Sequence, residues 1–325
     1  MNNGKFVISL DFELFWGVRD VRSIKSYGDN ILGVYAAIPK LLELFEEYGI
    51  TATFSTVGFL FFENKTVLLQ NLPASIPQYD DQRLSPYAAI NSIGDDLTTD
   101  KYYFAPELIK LIQKYPAQEI GTHTFSHYYC LEKGQTTDNF IADITAAKKV
   151  AMSYGITIES LVFPRNQFNG DYLEAGKNLG ILCIRGNERS WLYEARGRDK
   201  ESLVRRAIRL ADAYINISGH NCYTDEELRI DGLTNIPASR FLRPFSKKLA
   251  LLDSLKLKRI KKGMTIAAKN NMTYHLWWHP HNFGIDQKEN FIFLEKILMH
   301  YQQLNKAYGF QSYTMSGLSK LVNPK

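Results

Sequence analysis

Two histidines four residues apart, His123 and His127 in Gly121-Thr122-His123-Thr124-Phe125-Ser126-His127, stand just past an apolar run that ends at Ile120. On a helical turn, positions i and i+4 share a face, so both imidazoles can meet one metal ion. The spacing alone is a weak signal, because two partly buried histidines bonded to backbone carry the same pattern. Two further groups add to it: the carboxylates of Asp11-Phe12-Glu13 near the N-terminus, and His279-Pro280-His281 late in the chain. Two histidines and a carboxylate make a divalent-metal site with open positions for water and substrate. A second carboxylate can take a proton from that water, and a further histidine can return one to a leaving group.

Each of these residues must be delivered by an element, and the chain alternates strand-like and helix-like segments. Strands are expected at Lys5 to Leu10, Ile50 to Val57, Gln118 to Gly121, Ile158 to Phe163, Ile181 to Ile184, Leu233 to Ile236, Thr273 to Trp278 and Phe310 to Tyr313. Between them lie helical stripes at Ile31 to Gly49, Pro106 to Tyr115, Asp138 to Tyr154, Tyr172 to Leu179 and Asn290 to Tyr308. Asn71 to Asp100 is polar and proline-punctuated, and reads as a long loop or cap. Seven or eight such strand–helix units predict a parallel sheet with right-handed crossovers, closed or nearly closed into an α/β barrel. Asp11, His123, Arg165 and His279 all follow strands, and in such a barrel strand C-termini converge on one face.

Composition bounds the rest. The chain has 325 residues, 45% apolar and 22% charged, enough for a substantial core, and is read as one catalytic domain over 1–325 with an irregular basic segment at about 187–262. The net charge of +5 is too small to call for nucleic acid. Cys130, Cys183 and Cys222 form no C-x-x-C pair, which fits a reducing compartment. No signal peptide and no 18-residue apolar run is visible, so the expected location is cytoplasmic. Between Arg240 and Lys262, nine lysines and arginines face the single acid Asp253. That run reads either as a solvated face or as a contact with a substrate diphosphate or the anionic inner face of a membrane.

With these residues in place the chain resembles the polysaccharide deacetylases of the NodB homology type, carbohydrate esterase family 4. The resemblance rests on Ser9-Leu10-Asp11-Phe12-Glu13, His123-Thr124-Phe125-Ser126-His127, Phe163-Pro164-Arg165 and Trp278-His279-Pro280, with Ala52-Thr53-Phe54 and Thr314-Met315-Ser316 as punctuation. Many members carry adjacent aspartates where this chain has Asp-x-Glu, and Arg165 is followed here by Asn166-Gln167. The resemblance implies a distorted (β/α)7-8 barrel, a divalent metal and hydrolysis of an N-acetyl group from an acetamido sugar, here in cell-surface glycan assembly of the O-antigen or capsule type. A same-fold hydrolase of a non-sugar amide or formamide, or a glycan-binding protein without catalysis, are the alternatives.

Roles follow from chemistry and from the resemblance together. Glu13, His123 and His127 are expected to hold the metal, Zn2+ first, with Co2+, Ni2+ and Mn2+ also suited to these donors. Asp11 is expected to be the base, oriented by Arg165, and His279 the acid that protonates the leaving amine, with His281 as its rival. In a strand, Asp11 and Glu13 share a side, and the longer glutamate can reach further; the opposite order stays open. Trp16, Asn166, Trp278, His281 and Arg240 are the expected substrate contacts, with Phe15, Tyr128, Tyr129, Trp277 and Phe283 adding aromatic surface on which a sugar can stack. The residues leave open whether the sugar is nucleotide-linked, lipid-linked or part of a polymer.

Overall fold

A computed structural model of the chain describes residues 3–195, 202–230 and 232–324; residues 196–201, within the expected basic segment, lie outside the described residues. Ten strands form one sheet: β1 Lys5–Phe12, β2 Ala52–Thr56, β3 Glu119–Thr122, β4 Ser160–Leu161, β5 Cys183–Ile184, β6 Arg229–Ile230, β7 Leu233–Asn235, β8 Arg240–Phe241, β9 Thr273–Trp278 and β10 Gln311–Tyr313. Their spatial order is β6-β7-β5-β4-β3-β2-β1-β9-β8, with β10 also on β1. All the pairings are parallel except β6–β7.

β1 is the axis of this arrangement. Every one of its residues is buried, as a strand covered on both faces requires. One edge pairs with β9 from Lys5 to Leu10. The other pairs first with β10, then with β2 from Ile8 to Phe12. The far ends of the order are joined by one stretch of backbone. Ile236 and Ala238 donate N–H groups to Ile184 and Gly186, while Ser239 and Leu242 donate to His275 and Trp277. This stretch bonds the β5 side and the β9 side in turn, and the sheet curls into the expected distorted (β/α) barrel.

Alternation along β1 decides what lies inside. Phe6, Ile8, Leu10 and Phe12 pack outward into the main core, beneath helices such as Val34–Tyr48. Val7 joins an inner cluster with Val162, Cys183, Ile236, Met315 and Leu318, so the C-terminal helix Met315–Val322 plugs the barrel floor. Ser9 and Asp11, next on the same face, are therefore lifted above an apolar floor. The single helix expected over Ile31 to Gly49 is two, Ile24–Leu32 and Val34–Tyr48, broken at Gly33. A Cβ on Gly33 would lie 2.0 Å from the Gly284 carbonyl oxygen, so the chains meet there only because both residues lack side chains.

The basic run is not one surface. Arg240 is only 4% exposed, and Arg259 and Lys256 are also buried. Both arginines grip Asp212 at the end of helix Leu203–Asp212: Arg259 Nη2 lies 2.8 Å from Oδ1, and Arg240 Nη1 donates to Oδ2. Asp212 further accepts from the Ile217 and Ser218 N–H groups at 3.0 and 2.8 Å, and from the Tyr193 hydroxyl at 2.7 Å. The expectation of Arg240 as a substrate contact is thereby corrected: its charge is spent on an internal anion. Burial pushes the Asp212 carboxyl up, but the Arg240 guanidinium overcomes that and holds it well below the usual range. A depressed carboxylate stabilises the fold above its unfolded pKa of about 4 and stops doing so as pH falls through the folded value. Asp212→Ala should cost about 3–5 kcal/mol of unfolding free energy by stranding two buried cations. It should also flatten the acid limb of a stability-versus-pH curve; denaturant titrations from pH 3 to 7 measure both, and an unchanged midpoint would refute the hub.

Candidate active site

The histidine turn follows β3 but is not helical. Thr124 and His127 take left-handed φ values of 65° and 60°, so the expected helical i, i+4 face is replaced by a bent loop. A buried carboxylate holds that bend. Asp143 accepts the Phe125 N–H at 2.6 Å and the Ser126 N–H at 3.2 Å, together with the Ser126 hydroxyl. Burial raises Asp143 to about 7 against those three donors. The Tyr128 N–H donates to Thr124 Oγ1 at 2.7 Å, and Phe125 packs edge-on against Phe59 and Phe62.

The bend aims both imidazoles at Glu13. His123 Nε2 lies 3.3 Å and His127 Nε2 3.1 Å from Glu13 Oε2, all three residues being buried. His123 Nδ1 lies 2.8 Å from the Val162 carbonyl, which can only accept, so Nδ1 carries a proton and Nε2 is the nitrogen turned to Glu13. His127 Nδ1 is held by the Tyr129 hydroxyl at 3.1 Å. Tyr129 is fixed in turn by Tyr79, from the expected 71–100 cap, whose hydroxyl accepts the Tyr129 N–H at 2.9 Å. Burial lowers His127 to about 4, and Glu13 stays well below its usual range because the surrounding histidines outweigh its burial. A carboxylate and two imidazoles whose outer nitrogens are already engaged make a donor set suited to a divalent cation. The three donor atoms lie within 4.8 Å of one another, so these residues fit a metal. Gly17 makes room for them, since a Cβ there would fall 1.9 Å from the Glu13 carboxyl carbon.

Asp11 is clamped from the opposite side of the barrel, and not by Arg165. Arg185, just past β5, donates Nη1 to Oδ1 at 2.6 Å and Nη2 to Oδ2 at 2.7 Å. The same guanidinium donates to Ser9 Oγ at 3.1 Å and to Asn166 Oδ1 at 3.0 Å, and lies 4.0 Å from the centre of the Trp277 ring. His275 completes the support: Nδ1 donates to Ile236 O at 2.9 Å, so Nε2 accepts from Ser9 Oγ at 2.8 Å. Burial, then the Arg185 charge, lowers His275 to about 3, keeping it neutral as this relay requires. Burial also pushes the Asp11 carboxyl up, yet Arg185 holds it below the usual range.

Arg165 instead pairs with Asp20, approaches Glu132 at 3.5 Å and lies 4.2 Å from the Tyr129 ring centre. Its φ of 55° and that of Asn166, 52°, turn Asn166 inward to Arg185 and Arg165 away from Asp11. His279 Nε2 faces both carboxylates, 3.7 Å from Asp11 Oδ2 and 3.6 Å from Glu13 Oε1. His281 is buried beside it, rings 4.8 Å apart, with Nδ1 3.9 Å from Glu13 Oε1 and the Tyr27 ring edge-on to it. It lies buried within the wall, its Nδ1 without a hydrogen-bond partner among the described residues, rather than exposed to substrate as expected. Glu13, His279 and His281 form a second donor group.

Family comparison matches residues 29–184 to Polysaccharide deacetylase, a segment that holds His123 and His127. Over those residues the chain is similar to the polysaccharide deacetylase family. No curated protein sequence matches the chain. Among solved structures it is similar to a putative polysaccharide deacetylase from Mycobacterium smegmatis, at 14% identity and TM-score 0.61, covering 99% of this chain and 91% of that one. A probable polysaccharide deacetylase from Pseudomonas aeruginosa PAO1 matches at 10% identity and TM-score 0.55, covering 98% and 91%. PuuE allantoinase matches at 9% and 0.55, covering 97% and 89%. At these identities the likeness is one of fold.

Two aromatic expectations are corrected at this site. Trp16 is fully buried, donating Nε1 to Tyr103 O at 2.9 Å and packing on Phe59. Trp278 points outward from β9 into the core against Phe45 and Phe283. Trp277, one residue earlier and on the inner face, is the tryptophan at the site. Arg185 was missed although it stands at a strand end like the other site residues; Gly17, Asp143 and His275 had no motif to mark them. Asp11→Asn should keep metal and lose activity, while Glu13→Gln should lose metal, by elemental analysis of purified protein. Arg185→Lys should lower kcat roughly 10²-fold by losing the two-point clamp on the base. Arg165→Lys should stay within about fivefold, the worth of a partly exposed ion pair; the reverse order of effects would restore Arg165 to the base.

Proposed function

We propose that the protein is a metal-dependent N-deacetylase that removes the acetyl group from an acetamido sugar during cell-surface glycan assembly. The observation that carries this reading is the Glu13 carboxylate set between the Nε2 atoms of His123 and His127, with Asp11 and His279 beside it. Glu13, His123 and His127 would hold the ion, and Zn2+ suits their number and type. Held there, a divalent ion would supply Lewis-acid polarisation of the acetyl carbonyl and a water acidic enough to act near neutral pH.

The chain's own residues supply the remaining steps. Asp11, kept ionised by Arg185, accepts the proton of the attacking water. His279, its side chain partly exposed on the carboxylate side, donates a proton to the nitrogen as the carbon–nitrogen bond breaks. The Asn166 and Trp277 walls place the sugar against this pair, and the Trp277 face suits the C–H surface of a ring. Acetate release in a coupled assay, with formate release and no release as the competing outcomes, separates the deacetylase from a deformylase and from a binding protein. His279→Ala should retain metal and lose about 10²–10⁴-fold in kcat. If His281→Ala shows that loss while His279→Ala does not, the acid is His281.

The location proposed is the cytoplasmic side of a membrane. No helix among the described residues is long and apolar enough to cross one. Support for peripheral contact comes from the outer half of the basic run: Lys247, Lys248, Lys258 and Lys262 remain exposed, and Leu251 is 96% exposed with Leu252 and Leu255 beside it. Exposed leucines ringed by lysines suit an anionic lipid surface, at about 1 kcal/mol per cation. The protein should float with phosphatidylglycerol-containing vesicles and not with phosphatidylcholine alone, and Leu251→Asp should weaken it; no flotation would remove the membrane contact.

A further inference from the structure

A cleft of about 410 Å³ opens beside the catalytic pair, lined among others by Asn166, Trp277, Tyr193, Phe241, Arg209 and Arg243. Asn166 and Trp277 both touch Arg185, so one end of the cleft abuts Asp11. Arg209 and Arg243 line the same cleft, together with the acids Glu188 and Glu194. Most arginines nearby have an acid of their own: Arg185 has Asp11, Arg165 has Asp20, and Arg240 and Arg259 share Asp212. Arg243 does not. Among the described residues no carboxylate pairs with it, and its Nη2 reaches only the Arg209 carbonyl at 3.4 Å.

Burial lowers the Arg243 pKa, and the like charges of Arg209 and Arg240 lower it further. A half-buried guanidinium among other cations is the state that an incoming anion relieves, and its planar fork matches phosphate oxygens. Two more polar atoms of the lining have no hydrogen-bond partner among the described residues: Glu188 Oε1, on a buried side chain, and Trp277 Nε1. They suit the hydroxyls of a sugar lying between Asp11 and Arg243.

We propose that Arg243, assisted by Arg209, binds a phosphate or diphosphate joined to the acetamido sugar, so that the substrate is carrier-linked and not a neutral polysaccharide. The proposal rests on the deacetylase reading of the same site. A nucleotide and a lipid carrier share this chemistry, and the arms of the test distinguish them. Binding is measured by titration calorimetry on metal-loaded His279→Ala protein, which turns over slowly. The probes are UDP-N-acetylglucosamine, a farnesyl-diphosphate-linked N-acetylglucosamine and the neutral methyl glycoside of N-acetylglucosamine.

Both diphosphates should bind about 10- to 100-fold more tightly than the methyl glycoside, the tighter of the two naming the carrier. Arg243→Gln should remove that advantage, Arg243→Lys should retain part of it, and Arg209→Gln should weaken it in the same sense. The advantage should shrink as salt is raised. Equal affinities for charged and neutral probes, no binding of either diphosphate at millimolar concentration, or an unchanged preference in Arg243→Gln protein that keeps its thermal midpoint, would each overturn the anion site. Acetate released by the wild type from neutral acetamido sugars alone would leave the deacetylase reading intact without it. A diphosphate preference lost in Arg243→Gln, with no acetate from any probe, would keep the anion site and refute the deacetylase reading.

Discussion

Everything at the mouth of this barrel depends on one buried ion pair, Asp11 with Arg185. Taking two such charges out of water costs several kcal/mol each, and attraction offsets that only where geometry is good and the remaining donors are used. Here the contact is two-pronged, and the guanidinium also reaches Ser9 and Asn166 and lies over Trp277. Ser9 is fixed by His275, and His275 by the carbonyl of Ile236 on the stretch that closes the barrel. Asp11 is thus tied through four residues to the closure of the sheet. An apolar floor below and packed helices outside give this column no softer direction in which to relax.

Glu13 and the two histidines of the turn are brought together by a different device. His123 and His127 reach Glu13 because the turn between them adopts left-handed backbone at two non-glycine positions. Such conformations cost of order 1–3 kcal/mol each and persist only where surroundings over-determine them. Asp143 supplies that determination with three accepted hydrogen bonds, from a helix that carries no motif residue. A relaxed helical turn would share a face between the histidines but would not need Asp143; the observed turn does, and the strain sits where the donors converge.

Much of this was legible in the residues. Asp11, Glu13, His123, His127 and His279 were found because titratable side chains at strand ends with short, regular spacing leave a local pattern. The barrel followed from the alternation of strand and helix, and β9 falls at the expected Thr273–Trp278. What was illegible depended on distances across the barrel. Arg165 and Arg185 both follow strands, and only the left-handed turn at Arg165-Asn166 decides which of them faces Asp11. Trp277 and Trp278 differ by one residue, and a one-residue choice in a strand exchanges the site for the core. Asp143 and Gly17 serve neighbours that are remote in sequence or invisible without coordinates.

The basic run shows the same limit in electrostatic form. Read as a line of charge, Arg240 to Lys262 is a single positive patch. Folded, it divides by what each cation can reach. Arg240 and Arg259 turn inward to Asp212, where their charge stabilises the wall that carries β8. Lys256 folds back onto the Arg243 carbonyl and Asp253. Lys247, Lys248, Lys258 and Lys262 stay in water, and Arg243 stops between, at the cleft, with no carboxylate paired to it among the described residues. Sequence charge counts all nine alike, whereas the fold draws Arg240, Arg259 and Lys256 onto internal partners. An anion approaching the active site therefore meets a field shaped by which arginines already have partners. That pattern was set by Asp212, an acid that lies outside the basic run.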